Sequence, residues 1–419
     1  MKINRLFLIF FIIFSAKNSF AFSIENAIDF AIKNNQEIKL YEHKLNSSKN
    51  YNYQAIAEFL PKIFINIQSG ERINNNFNVN EFDRKKNRFN TREISLENSI
   101  FNGFSSLINL KKSDKQYLIE LAILKDKKQN LATEIVKIYS NIFWQKKTLE
   151  NYKKILDFTK IIIDIERGKF DAKLIDKEQL IQGQIDLENL LQKIEEEESN
   201  LAKNYHDFFA LAGVEFEGNK KIEILENNFN KNEILKKINQ NFLLQSKYIK
   251  YQLSLDDIDS KTSEFLPKIS LIANISKQKN NLYLSNKEIN NRSIMLNFSI
   301  PLFQNGLEFI DYKMSKNQSE IAFDEYEIYK NYLNSELAKT LDDINFAIEN
   351  LKICNDIISF LDEKNHILQT KFNVKIIDAI EFYRGKISLE MQKITQNKLQ
   401  NILTTSRYKI LGLVGEINV

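Results

Sequence analysis

The sequence predicts a mostly helical α+β protein, in which long antiparallel coiled-coil helices accompany four β-strands in each chain. Three observations lead to this prediction. The first is composition: 10 glycines and 3 prolines in 419 residues are far below the average usage of about 7% and 5%, as long uninterrupted helices require. The second is an internal repeat with a period of about 200 residues. The third is a change, within each repeat, from helical to alternating spacing of the apolar residues.

Residues 1–21 have the pattern of a secretory signal peptide. Lys2 and Arg5 precede an apolar run from Leu6 to Phe14, and small residues follow at Ser19 and Ala21. The apolar run is shorter than the roughly 20 residues that span a bilayer, so we expect an exported chain without a transmembrane helix. Processing would remove three of the 59 basic residues and none of the 55 acidic ones. The nearly balanced charge that remains argues against a nucleic-acid partner.

The internal repeat is visible in two matched segments. The run Glu58–Ile63 recurs unchanged as Glu264–Ile269, and the run Lys169–Asp176 returns in similar form as Lys371–Asp378. The offsets are 206 and 202 residues, and the matches keep their order along the chain. We therefore predict two structural repeats that follow the signal peptide, at 22–217 and 218–419.

Each repeat is expected to begin with a helix and a β-hairpin. The helices cover about 24–58 and about 231–264, where apolar residues recur at helical spacing. They end at a Leu-Pro step, because the residue before a proline avoids the α region. The hairpins cover about 60–101 and about 266–302, where apolar and polar residues alternate over strands of about 10–14 residues on either side of a polar, Asn-rich loop.

Each repeat is expected to end with a long helix and a shorter one. The long helices cover about 104–170 and about 307–371, and stretches of apolar residues in both have coiled-coil spacing. Each would reach about 100 Å at 1.5 Å per residue. The shorter helices begin after Asp176 and Asp378, which we predict as N-caps because a Gln or Glu stands three residues later in each copy.

Four amphipathic strands in one chain cannot close a barrel. In a bilayer the open edges of such a sheet would leave backbone N–H and C=O groups unpaired, at a cost of several kcal/mol each. If the strands lie in a membrane, several chains must therefore share one barrel. A half-buried sheet in a soluble protein remains an alternative for the strands, and a solid coiled-coil bundle remains one for the helices.

These features together resemble the TolC-type outer-membrane efflux protein family. The resemblance covers essentially the whole mature chain and rests on the Phe-Leu-Pro-Lys-Ile step, the segment Phe298–Gly306 that ends the last strand, and the twofold repeat. It implies an α+β membrane protein that forms a homotrimer, with a shared twelve-stranded barrel in the outer membrane and a helical tunnel in the periplasm. It also implies a passive exit duct for tripartite efflux or type I secretion. The implied partners are outer-membrane lipid, a periplasmic adaptor (membrane fusion protein) and an inner-membrane pump.

The resemblance also assigns a gate at the periplasmic end of the tunnel. By position, Glu381 matches a gate carboxylate, and Arg384 stands where a second acid is common; the first repeat offers Gln179 at the place of Glu381. A ring that contains both Glu381 and Arg384 would be less selective for cations than a purely acidic ring. A plain capping role for Glu381 is the alternative, and it is compatible with a gate role.

The turns between the long and the short helices are the candidate contact with the adaptor. The resemblance assigns this contact to the following residues: Lys173, Leu174, Ile175, Lys375, Ile376 and Ile377. The two lysines stand where the family has glycine. Because a left-handed backbone is costly for residues other than glycine, we expect the turn itself to differ from that of the family.

No constellation for covalent chemistry is apparent. The three histidines lie far apart without cysteine or paired carboxylates at ligand spacing, and no phosphate-binding loop or nucleophile motif occurs. We expect no enzyme activity, no catalytic residue, no metal and no cofactor. The competing function is a soluble periplasmic coiled-coil adaptor or scaffold without a pore.

Overall fold

The computed structural model describes residues 23–78, 81–216, 231–282, 285–303 and 305–418. The proposed signal peptide, residues 1–21, and the boundary between repeats at 217–218 lie outside these described residues. The helices of the first half are α1 (Ile24–Asn34), α2 (Gln36–Ala57), α3 (Ser105–Asp171) and α4 (Lys177–Ala212). Those of the second half are α5 (Lys231–Lys237), α6 (Phe242–Ser263), α7 (Leu307–Asn373) and α8 (Ala379–Val414). The strands are β1 (Lys62–Asn78), β2 (Glu81–Asn102), β3 (Lys268–Leu282) and β4 (Ser285–Ser299).

The fold class predicted from the sequence is confirmed: over its described ranges the chain is mostly helical and holds four antiparallel strands. The elements also follow one another in the predicted order, and a short 3₁₀ turn, Ile238–Gln240, lies between α5 and α6. The division into repeats at 22–217 and 218–419 stays a prediction. By spatial proximity the chain forms two compact units, each of which takes segments from both halves of the sequence.

The sheet unit contains Tyr41–Leu124 and Phe242–Lys330. Its strands are antiparallel in the order β1-β2-β3-β4. The strands have 15 to 22 residues, so the predicted length of 10–14 residues is wrong. The Asn-rich stretch that we predicted as a loop continues the backbone ladder, with Asn74 paired to Lys85.

The register places most of the apolar residues of the four strands on one face. One row across the sheet consists of Ile63, Leu96, Ala273 and Ile294. The opposite face is mostly polar, and the corresponding row there consists of Phe64, Ser95, Asn274 and Ser293. The apolar face is not covered in the described chain, since Ile63 is 66% exposed and Ile294 is 79% exposed.

The helical unit contains the described parts of Met1–Leu40, Lys125–Asn241 and Asn331–Val419. Its core follows the predicted coiled-coil spacing, for Ile135 and Ile142 of α3 and Leu337 of α7 are fully buried. Ile348 departs from this pattern: it is 42% exposed, and Ala347 is buried instead. Among the helices in the described ranges, none is long and apolar enough to cross a membrane.

The first helix of each half is interrupted at an asparagine, which the sequence did not predict. Asn35 and Asn241 both leave the helical backbone, with ψ values of 127° and 123°. The Asn35 amide donates to the Leu211 carbonyl at 3.3 Å, and the Asn241 amide donates to the Leu413 carbonyl at 2.9 Å. Each asparagine side chain therefore donates a hydrogen bond to a carbonyl in the last turn of α4 or α8, where carbonyls have no partner within their own helix.

Candidate functional site

The connections from α3 to α4 and from α7 to α8 have the same hydrogen-bond pattern. In the first turn (172–175), the Leu174 N–H donates to the Lys169 carbonyl and the Lys173 N–H donates to the Phe170 carbonyl, both at 2.8 Å. In the second turn (374–377), the N–H groups of Ile376 and Lys375 make the matching bonds at 2.9 and 3.0 Å. This pair of bonds is the Schellman motif, which ends a helix with a left-handed residue.

The left-handed position in each turn is occupied by a lysine. Lys173 and Lys375 both have φ of 60°, so the turn that we expected to differ from the glycine turn of the family has the backbone that glycine would allow. A left-handed backbone costs a residue with a side chain about 1–2 kcal/mol. Both halves of the chain therefore carry the same local strain at equivalent positions.

The candidate contact residues in the two turns differ in exposure. Leu174 is 73% exposed and Ile376 is 71% exposed. Lys173 and Lys375 are exposed as well, whereas Ile175 and Ile377 are half-buried. Each turn therefore presents one ammonium group to solvent, together with Leu174 in the first turn and both Val374 and Ile376 in the second.

Asp176 and Asp378 lie directly after the two turns, at the start of α4 and α8. The Asp176 carboxylate accepts a hydrogen bond from the Gln179 backbone N–H at 3.0 Å, and the Asp378 carboxylate accepts one from the Glu381 N–H at 2.9 Å. Asp378 also pairs with the Lys169 ammonium at 2.8 Å. The bonds from Lys169 and from the Glu381 N–H hold the pKa of Asp378 below its ordinary value. The Lys169 contact joins the end of α3 to the start of α8.

The three gate candidates lie around one cavity of the helical unit. Gln179, Glu381 and Arg384 line this space of about 430 Å³, together with Lys169 and Asp378. The structure thus brings together residues that are about 200 positions apart in the sequence. Glu381 lies in the first turn of α8, and the positive end of the helix dipole favours a carboxylate there.

Arg384 contacts an acidic residue that the sequence reasoning missed. Its guanidinium lies 3.7 Å from the carboxylate of Glu166 on α3, whose side chain is only 3% exposed. Burial raises the pKa of Glu166, and Arg384 lowers it in part, while Asp186 on α4 raises it further. Because Glu166 pairs with Arg384, part of the positive charge beside Glu381 is compensated within the chain.

Glu166 packs directly against a glycine of α4. A Cβ atom on Gly183 would overlap the Glu166 Oε2 atom, so α4 has no side chain at that position. In the second half Gly385 is crowded in the same way by Leu368 and Asn365 of α7. A comparison of the repeats could have found Glu166, because it occupies the position of Leu368 and therefore places a charge on a helix-packing surface.

The site contains no arrangement for covalent chemistry that we could identify. In the part of the chain that the structure describes, no group of three or more His, Cys, Asp or Glu side chains is placed to hold a metal ion. The geometry is that of exposed helix connections beside a polar cavity. Such a site is suited to binding.

Comparisons with known proteins bear on the fold. No protein-family model matches the sequence, and no curated protein matches it. Solved structures do match. The outer membrane channel CmeC of Campylobacter jejuni has a TM-score of 0.80 and 14% identity, over 94% of this chain and 85% of that one.

Two further outer-membrane proteins match over most of their length. The outer membrane protein VceC of Vibrio cholerae has a TM-score of 0.79 and 11% identity, over 94% of this chain and 96% of that one. The outer membrane channel MtrE of Neisseria gonorrhoeae, in its open state, has a TM-score of 0.73 and 10% identity, over 94% and 88%. These neighbours are described as channels or membrane proteins, not as enzymes. The chain therefore has the fold of the TolC-type outer-membrane channels.

Proposed function

We propose that this chain is one subunit of a homotrimeric outer-membrane channel that extends into the periplasm. In this proposal the channel is a passive exit duct for tripartite efflux or type I secretion, and its strands contact outer-membrane lipid. Residues 1–21 direct export, and the two repeats, 22–217 and 218–419, each contribute two strands and one long helix. The likeness of the fold to outer-membrane channels supports the proposal.

The observation that carries the proposal is the sheet. Its apolar face is exposed, and within the described residues the outer edges of β1 and β4 have no partner strand. An open edge is costly in a bilayer, where every backbone polar group needs a partner. Joining β1 of one chain to β4 of the next removes both edges, and three chains then supply twelve strands.

The helices support a duct that crosses the periplasm. The two long helices have 67 residues each, which corresponds to about 100 Å. The sequence contains no nucleotide-binding motif, so we propose that the driving energy comes from an inner-membrane pump, reached through a periplasmic adaptor. The two turns, with Lys173, Leu174 and Ile175 and their counterparts in the second half, are the proposed adaptor contact.

Conductance in planar bilayers tests the channel. We expect purified full-length protein to give discrete current steps, to be extracted from membranes by detergent and not by salt, and to have the mass of a trimer in detergent. A protein that is released by salt and carries no current would be a soluble periplasmic scaffold, and the proposal would be wrong.

The proposed gate predicts opposite effects on ion selectivity for two neighbouring residues. Replacing Glu381 by Gln removes a negative charge and should lower the cation-to-anion permeability ratio by about two- to threefold, whereas Arg384→Ala should raise it. Reversal potentials in a salt gradient measure the ratio. Glu363→Gln, an exposed change on α7, is the matched control. Equal ratios in all variants would leave Glu381 as a helix-capping residue only.

A further inference from the structure

The two turns have a similar amino-acid composition, and the geometry of a helix end does not require it. The first turn reads Ala-Lys-Leu-Ile and the second reads Val-Lys-Ile-Ile. Each has one lysine, three apolar residues and no acid. Asp171 precedes the first turn, and Asp176 and Asp378 follow the two turns and cap α4 and α8. Within each turn itself the lysine is the only charged residue, so the turn carries a positive charge.

The lysines are held in a conformation that favours glycine. Both have φ of 60°, and strained backbone that recurs at equivalent positions indicates that the side chain has a use. Compensation of the helix dipole does not explain them, because Lys169 and Lys371 already lie in the last turns of α3 and α7. Glycine would serve the turn better, so the ammonium groups themselves need an explanation.

The large apolar residue of each turn lacks its usual neighbour. In a Schellman motif the residue after the left-handed one commonly packs on the last helical turn. Here the residues at that place in the helix are Lys169 and Lys371, and Leu174 and Ile376 remain 73% and 71% exposed. These two side chains are available to fill a pocket on another molecule.

We propose that the two turns bind a periplasmic protein whose contact surface is an apolar pocket rimmed by Asp or Glu side chains. Leu174 and Ile376 fill the apolar part, and Lys173 and Lys375 pair with the carboxylates. This inference rests on the proposed adaptor contact and specifies the chemistry of the partner. Complementary charge of this kind selects the partner and speeds the encounter.

A folded protein fits these turns better than an anionic lipid surface does. Each turn offers only one or two large exposed apolar side chains, Leu174 in the first and Val374 and Ile376 in the second, whereas membrane-surface helices present a wide apolar face. The turns also lie near each other, since the Lys169–Asp378 ion pair joins the helices that flank them. Exposed apolar side chains on two neighbouring turns are typical of recognition by two matching pockets.

Photocrosslinking in the intact envelope tests the inference. A photoreactive residue replaces Leu174 or Ile376 in the full-length chain, and crosslinked species are identified by mass spectrometry. We expect a periplasmic protein to be crosslinked through a segment that contains acidic residues. The double change Lys173→Glu with Lys375→Glu should lower the yield at least tenfold, and arginine at both positions should keep it within twofold.

Two further variants separate an effect on binding from an effect on folding. Lys173→Gly with Lys375→Gly relieves the backbone strain and removes the charge, so the yield should fall at least threefold while thermal stability rises. The control Lys352→Glu with Lys398→Glu changes two exposed lysines away from the turns and should keep the full yield. Exchanging the crosslinked acids of the partner for lysine should restore binding to the glutamate variant.

The outcomes separate this inference from the proposed function. Equal yields with lysine and glutamate would overturn the charge complementarity and leave the adaptor contact in place. Crosslinks to lipid alone would overturn the protein partner. Absence of any protein crosslink would overturn the adaptor contact as well, while the conductance of the unmodified channel tests the duct separately.

Discussion

Asp126 of α3 is a buried carboxyl whose charge is costly to the fold. It is 8% exposed, and burial raises its pKa from 3.8 to about 6, although Lys127 and a hydrogen bond from Asn130 at 2.9 Å lower the pKa in part. Below pH 4 the carboxyl is protonated in both the folded and the unfolded chain. Between about pH 4 and pH 6 only the unfolded chain gains from ionisation, so the wild-type protein loses stability as the pH rises.

Replacing Asp126 by Asn should therefore stabilise the protein at neutral pH. The shift of about two pKa units corresponds to about 2–3 kcal/mol in the free energy of unfolding. Denaturant unfolding in detergent at pH 4, 6 and 8 measures the difference in the free energy of unfolding between the variant and the wild type. This difference should be small at pH 4 and should reach its full value at pH 8. The matched change Asp343→Asn, at an exposed position, should have little effect at any pH. A pH-independent gain at Asp126 would contradict the electrostatic origin.

Glu166 and Gly183 should be energetically coupled, because the glutamate carboxylate fills the space that a Cβ atom on residue 183 would need. In the wild-type background Gly183→Ala should destabilise the helical unit by about 1 kcal/mol, since crowding outweighs the better helix propensity of alanine. In a Glu166→Ala background the same change should stabilise by about 1 kcal/mol. A double-mutant cycle of thermal unfolding measures the coupling, and additive effects would show that the two residues are independent.

The helix breaks at Asn35 and Asn241 show what sequence periodicity can and cannot predict at the scale of elements. Apolar spacing predicted helices over about 24–58 and about 231–264, and helices do occupy most of these ranges. The breaks depend on bonds to Leu211 and Leu413, which lie more than 170 residues away. The local spacing of apolar residues carries no information about a contact between residues so far apart in the sequence.

Removing the Asn241 side chain should weaken the join between the 3₁₀ turn and the end of α8. Asn241 is 4% exposed. Asn241→Ala removes the donor to the Leu413 carbonyl, and the loss of this buried hydrogen bond should lower the free energy of unfolding by about 1–3 kcal/mol. Hydrogen exchange of the last turn of α8 measures the loosening. Asn331→Ala, at an exposed position of α7, should leave that exchange within about 0.5 kcal/mol of wild type. Unchanged protection in the Asn241 variant would mean that packing alone holds the helix end.

The strands were harder to predict than the helices for a physical reason. The alternation of Ile63, Ile65 and Ile67 identified β1, but the same strand continues to Asn78 through residues of low β propensity. Backbone pairing with β2 continues over this whole length and overrides the preferences of single residues. The gate candidates were found only through the resemblance. Glu166 was missed because a lone glutamate in a charged helix gives no local signal, and only its match with Leu368 of the second half distinguishes it.

At the scale of the whole molecule, the exposed apolar face of the sheet should determine insertion. Ile294→Lys places a charge on that face and should cost about 2–4 kcal/mol per subunit if the position lies near the centre of the bilayer. Ser293→Lys places the same charge on the polar face of the same strand and should still assemble. The yield of detergent-extracted trimer from the outer membrane compares the two variants. Equal yields would contradict a lipid contact for the face that contains Ile294.

The open edges of β1 and β4 also have a genetic consequence. In a homotrimer each subunit must pair with two others, so one subunit whose β4 cannot pair leaves the whole ring open. A cell that makes intact and defective chains in equal amounts would obtain only about one eighth of its trimers from intact chains alone. Mutations that disable a single edge should therefore behave as dominant alleles, whereas mutations that prevent synthesis of the chain should be recessive.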